Sequence, residues 1–150
     1  MRMRFSTTDL NADAMDNTLD AALLEQMAEA VIYSNRDGKI ERWNAAAAAV
    51  FGFSVEEAMG QSLEIIIPEH LRAAHWRGFE MAMASGKTRL NGRATMTRGL
   101  HKSGQKLFCE VSFAVVCNAD GTAIGSVAVG RDVTEKVERE KAAAKTASGS

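Results

Sequence analysis

Residues 68–87 read PEHLRAAHWRGFEMAMASGK, and the chemistry in this stretch centres on His75. At about 100° per residue, Leu71, His75, Phe79 and Ala82 share one stripe of a helix, with Ala74 and Gly78 beside it. His70 lies roughly 140° away around the helix, so the two imidazoles cannot serve one ligand. A glycine inside a helix costs about 1 kcal/mol relative to alanine. Close packing by another backbone, or a flat ligand laid against the helix, would offset that cost. An imidazole in an apolar slot with small neighbours is suited to bind the iron of a haem on its proximal side. Its second ring nitrogen is then expected to donate to a carbonyl or carboxylate.

The elements that must position this helix are legible on either side. From Asp16 the positions Leu19, Ala22, Leu23, Met27 and Ala30 follow helical spacing, which predicts an amphipathic helix over 17–30. AVIYS, NRDGK and IERW then predict a β-hairpin around Asp37-Gly38. NAAAAAVFGF predicts a helix ending at Gly52. Ser54 and Glu57 form a capping box for a second short helix, and SLEIII is a further short element. Pro68 and Glu69 suit the first turn of the His75 helix, which should end near Ser85 with Gly86 as its left-handed terminator. Residues 87–101, KLFCEVSFAVV and AIGSVAVGRDV then predict three strands joined by KSGQ and NADGT turns, an antiparallel meander. Asp132 and Glu135 should cap a closing helix, which frays into the tail KAAAKTASGS. The order predicts an α+β fold: one antiparallel sheet with helices on one face.

Composition bounds the function. At 150 residues, with 46% hydrophobic and 25% charged residues, the chain is sized for one domain with a real core. The net charge is −1 with no basic block, which argues against a nucleic-acid or anionic-membrane partner. No apolar run approaches the roughly 20 residues of a membrane span, and the first residues lack the core of a signal peptide. Cys109 and Cys117 make neither a disulfide framework nor a zinc site, so a cytoplasmic setting with reduced thiols is expected. No nucleophile sits beside a base at usable spacing, and no phosphate loop or kinase signature occurs, so no catalytic residue is assigned and an enzyme is not expected.

Three segments, DGKIERWNAAAAAVFGFSVEEAMGQSLEIIIPE (37–69), KSGQKLFCEVSFAVV (102–116) and VGRDVTE (129–135), together resemble a PAS domain. The resemblance covers about residues 20–135. It implies a PAS fold: a five-stranded antiparallel sheet, flanking N- and C-terminal helices, and a ligand pocket between sheet and long helix. It divides the chain into a flexible lead-in (1–15), a sensor domain (16–135) and a C-terminal signalling helix and tail (136–150). It also implies a homodimer and signal output to an effector domain or partner protein.

IPEHLRAAH further resembles the matching segment of haem-binding PAS oxygen sensors in histidine kinases and cyclic-dinucleotide phosphodiesterases. There the last histidine of the segment binds the iron, and it maps onto His75. The resemblance implies haem b as cofactor, His75 as metal ligand, and Leu71, Gly78, Phe79 and Ala82 as cofactor contacts. A diatomic gas (O₂, CO or NO) or a redox change would be the signal. The opposite wall departs from the pattern. Arg93 stands where the phosphodiesterase sensors carry a methionine as sixth ligand, and Thr95 replaces an arginine that contacts the gas. Arg93, Thr95 or Asn91 is then the candidate donor to the gas. Leu90, Ala94 and Met96 form the apolar set of this strand, out of phase with Arg93. If they face the pocket, Arg93 points to water unless Gly92 bulges the strand, and Met96 becomes the distal candidate.

Blander readings stand beside these. Trp43 and Trp76 read as packing or partly exposed aromatics, Cys109 as a core thiol, and Met15, Met27, Met59, Met81 and Met83 as filler. Arg72, Arg77 and Arg89 are candidates to neutralise haem propionates. A haem-free PAS module for a small ligand or for dimerisation remains the alternative. A flavin photosensor is set aside, because that subclass carries a reactive cysteine in an NCRFLQ-like segment. This chain has alanines at 45–49 and no cysteine before 109.

Overall fold

Asn35 organises the first turn. Its side-chain oxygen accepts the amides of Asp37 and Lys39 at 2.9 and 3.1 Å, and Gly38 adopts φ +75°, a conformation glycine reaches without a Cβ penalty. The turn joins β1 (Ala30–Asn35) to β2 (Ile40–Trp43), as the sequence predicts. The computed structural model describes residues 18–88 and 90–149, so the lead-in expected over 1–15 lies outside the described residues. Before β1 stands α1, described over 18–26. The amphipathic helix expected to reach residue 30 therefore stops earlier. Ala30 is buried as the first residue of β1, paired with Gly130, where burial in the sheet outweighs helical periodicity.

The connection after β2 follows expectation. Asn44 caps α2 (Ala45–Phe51), and Gly52 ends it at φ +79°. Ser54 and Glu57 form a reciprocal capping box on α3 (Val55–Ala58). A 3-10 turn covers Leu63–Ile66 and a second covers Glu69–Leu71, so the long helix α4 (Arg72–Ser85) begins four residues after Pro68. Gly86 terminates it at φ +73°.

Three strands complete the sheet: β3 (Thr95–Leu100), β4 (Lys106–Cys117) and β5 (Ala123–Asp132). All neighbours are antiparallel, in the order β2-β1-β5-β4-β3. The strand expected over 87–101 is much shorter. Asn91 N–H bonds Thr88 O and Arg93 N–H bonds Leu90 O, with Asn91 at φ 50° and Gly92 at φ 81°, so the residues just before β3 turn instead of extending. The closing helix α5 (Thr134–Ser148) runs through most of the expected tail. Asp132 accepts the Thr134 amide at 2.9 Å, but Val133 occupies the cap position and no reciprocal Glu135 bond forms.

The core lies between the sheet and the helical connection. Ile32, Ile40, Trp43, Ala47, Phe51, Leu63, Leu107 and Cys109 are buried together there, each large apolar side chain contributing about 1.5–3 kcal/mol. Trp43 donates its indole N–H to Phe53 O at 2.9 Å and packs on Phe51, the role expected of it.

Candidate functional site

The core does not fill the space under α4. A cavity of about 540 Å³ remains between this helix and the sheet, within the roughly 300–1,000 Å³ of small-molecule sites. The α4 wall consists of Ala74, His75, Gly78, Phe79 and Ala82, with Leu71 just before it. The stripe read from helical spacing therefore faces the cavity as a unit. A Cβ built on Gly78 would meet nothing within 4 Å. Close packing by another backbone is thus not what occupies that side of the helix.

The sheet supplies the opposite wall through alternate residues. Thr95, Thr97 and Gly99 of β3, Cys109, Val111, Phe113 and Val115 of β4, and Ser126, Ala128 and Gly130 of β5 line it. Val50, Phe51, Leu63, Ile66 and Ile67 add to the apolar lining with Ala30, Ile32 and Leu90, and Arg98 and Arg131 also border the cavity.

His75 is half-buried, its ring 4.7 Å from Trp76 edge-on and 6.2 Å from Phe79 in a stacked arrangement. Burial pushes its pKa below the usual value, and the Glu64 carboxylate opposes that shift. The imidazole is therefore neutral near pH 7, the form that ligates metals. Its Nδ1 is enclosed and has no hydrogen-bond partner. The carbonyl or carboxylate expected to receive that nitrogen is not in place. Among the described residues, no group of three or more His, Cys, Asp or Glu side chains could hold a metal ion, so this imidazole stands alone.

The distal candidates separate. Thr95 lines the cavity, and Arg93 reaches its edge while remaining exposed, with its Nε–H donating to Leu90 O at 3.2 Å. Asn91 is an exposed turn residue and does not line the cavity. Met96 is 53% exposed on the other side of β3, which removes it as a distal group. The parity argument misplaces it because Leu90 belongs to the preceding turn and does not set the phase of the strand. Thr97 and Gly99, which sequence reasoning missed, occupy the inner positions instead. Their signal was the odd-numbered alternation Thr95, Thr97, Gly99.

Other assignments also change. Arg72 is engaged by the carbonyls of Ile67 and Glu64 at 3.0 and 3.3 Å, and Arg77 is exposed away from the cavity lining. Arg89 and Met15 lie outside the described residues. Met83 is buried, but Met27, Met59 and Met81 are exposed and do not fill the core.

The PAS fold family matches residues 24–138. The chain belongs to this family. A PAS-domain structure from Colwellia psychrerythraea superimposes with a TM-score of 0.70 at 19% identity, covering 80% of this chain and 98% of that one. An uncharacterised protein of Azorhizobium caulinodans is 30% identical over 122 residues, 81% of this chain and 16% of its own length. The oxygen sensor protein DosP of Escherichia coli is 28% identical over 109 residues, 73% of this chain and 13% of its own length. The chain thus spans less than a fifth of either relative. PAS domains generally signal to effector domains and dimerise. Among the described residues, no helix is long and apolar enough to cross a membrane.

Proposed function

We propose that this PAS domain is a cytoplasmic haem-based sensor of a diatomic gas or of redox state. One observation carries the reading: a neutral, half-buried imidazole lines an apolar cavity of about 540 Å³ beside small side chains and open space at Gly78. Haem b, when bound, supplies an iron that takes a gas or changes oxidation state. His75 would hold the iron. Leu71, Gly78, Phe79 and Ala82 would lie against the porphyrin and keep water from it. Arg93, at the cavity edge, would meet a propionate or the gas, and Thr95 offers a neutral hydroxyl donor on the sheet wall. The 28% identity to a protein named as an oxygen sensor is consistent with this assignment.

Output would pass through the flanking helices to an effector. Leu19, Leu23 and Met27 leave an exposed apolar face on and just after α1, where a second copy would pack to form a homodimer. A monomer at micromolar concentration in sedimentation would remove the dimer from this reading.

The test is a visible spectrum of protein expressed with haem supply. A Soret band is expected that shifts with CO after reduction and disappears in His75→Ala. A protein that stays colourless after haem titration would favour the second reading, a haem-free module for a small ligand. The unpartnered Nδ1 of His75 favours that alternative, since an iron-bound imidazole ordinarily donates through its other nitrogen.

A further inference from the structure

Trp76 follows His75 on α4 and is held where His75 is not. Its indole Nε1–H donates to Glu64 Oε1 at 2.7 Å. Its six-membered ring occupies the space over Gly38, where an added Cβ would lie 2.4 Å from the ring. Glycine at that turn therefore does two things: it reaches φ +75°, and it leaves a seat for the indole. The seat and the acceptor belong to one unit, because the Leu63 amide bonds Gly38 O at 3.0 Å immediately before Glu64. Arg72, one helical turn before Trp76, donates to the carbonyls of Glu64 and Ile67. Two side chains four residues apart thus fasten the start of α4 to the same 3-10 turn.

The other edge of the indole bears on the site. Trp76 packs edge-on against His75 at 4.7 Å and against Phe79 at 5.4 Å. No hydrogen bond fixes the imidazole through its buried Nδ1. Packing against these two rings is what remains to orient it. Since side chains on a helix are about 100° apart, any rotation of α4 that frees Trp76 from Glu64 also swings His75 along the cavity wall.

We propose that Glu64 and Trp76 are positioning residues for His75: the indole–carboxylate bond, seated on Gly38, fixes the rotation of α4 and the surface against which the imidazole rests. The consequence for iron ligation rests on the haem reading; the clamp itself does not. Two variants separate the charge from the acceptor. Glu64→Leu removes the acceptor, whereas Glu64→Gln keeps a carbonyl oxygen in its place.

In haem-free protein, proton NMR should show cross-relaxation between the His75 and Trp76 rings. It should be lost in Glu64→Leu and restored in Glu64→Gln. In haem-loaded protein, Glu64→Leu should shift the iron–histidine Raman band and weaken haem affinity roughly 10–100-fold, as loss of supporting residues around a metal ligand does. Glu64→Gln should stay close to wild type in both. Wild-type ring contacts in folded Glu64→Leu would overturn the proposal, as would equal losses in the two variants. Should Glu64→Leu not fold, Trp76→Phe takes its place: it keeps one aromatic ring while removing both the N–H donor and the larger indole that fills the Gly38 seat. Unchanged His75 contacts to ring 76 would then overturn the clamp. A wild-type protein that loads no haem refutes the proposed function, while the haem-free ring contacts still decide the clamp.

Discussion

The Phe108 amide donates to Thr134 Oγ1 at 2.9 Å, and the Phe108 carbonyl accepts the Val133 amide at 2.8 Å. A threonine side chain thereby carries the β4–β5 ladder into the start of α5. Asp132 receives both the amide and the hydroxyl of Thr134, and Lys141 Nζ lies 4.5 Å from the centre of the Phe108 ring. The closing helix therefore leaves the sheet from a fixed point on β4. Thr134→Val keeps the shape but leaves the part-buried Phe108 amide without its acceptor. It should cost about 1–3 kcal/mol in urea unfolding and raise amide exchange along α5 more than along β4. Thr134→Ser should restore most of the loss.

Asn44 ties α1, β1 and α2 together through one side chain. Its Oδ1 accepts the amides of Val31 and Ala47 at 2.9 and 3.0 Å, and its Nδ2 donates to Leu24 O and Glu29 O at 2.8 and 3.0 Å. With the side chain buried, Asn44→Ala strands the amide of Val31 as well as uncapping α2. The expected cost is at least about 2 kcal/mol by chemical denaturation. Asn44→Asp keeps both acceptor bonds and loses the two donors. A buried carboxylate oxygen then faces the Leu24 and Glu29 carbonyls, so the loss at pH 7 should be no smaller than that of Asn44→Ala and should include faster exchange over residues 18–29.

These two residues show what sequence reading can and cannot reach. Gly38, Gly52 and Gly86 mark turns and helix ends because a positive φ selects glycine locally. The Leu71-His75-Phe79 stripe is equally local, since its period follows from helix geometry. The inner face of β3 is different. Burial enforces apolar alternation only where side chains are pressed together, and Thr95 and Thr97 face a cavity. The apolar parity of Met96 therefore points the wrong way. The Glu64–Trp76 bond and the fourfold role of Asn44 have no periodicity at all. Apart from the local Ala47 cap, which an asparagine directly before an alanine run signals, they arise from tertiary contacts across 12 or more residues.

The reassigned wall makes a selective prediction. Met96 is exposed and outside the cavity, so Met96→Leu should change stability by no more than about 0.5 kcal/mol and leave the CO-bound spectrum of haem-loaded protein unchanged. Thr97→Val removes an inward hydroxyl at nearly constant shape. It should move the iron–carbonyl Raman frequencies, because polarity on this side of a haem governs the gas adduct. A shift in Met96→Leu with none in Thr97→Val would reverse the orientation of β3.

Cys109 gives the fold a signature at high pH. The residue is 3% exposed, and burial, aided by the nearby Asp132 carboxylate, pushes its thiol up to about 11. In the unfolded chain the same thiol ionises near its ordinary value of about 8.5. Between these values the unfolded state releases a proton that the folded state keeps, so folding loses stability as pH rises through this window. Below it, the contribution is fully present. Wild type should therefore lose more stability than Cys109→Ala between about pH 8.5 and 11, and the two slopes should coincide at pH 6–7. Tyr33, also shifted upward by burial, acts in the same direction, and the difference between the two proteins removes its share. Alkylation gives the kinetic counterpart. At pH 8, iodoacetamide should modify the exposed Cys117 of native protein and spare Cys109, with both reacting in urea. Equal native rates at the two thiols would show that the β4 wall opens to solvent far more readily than its burial implies.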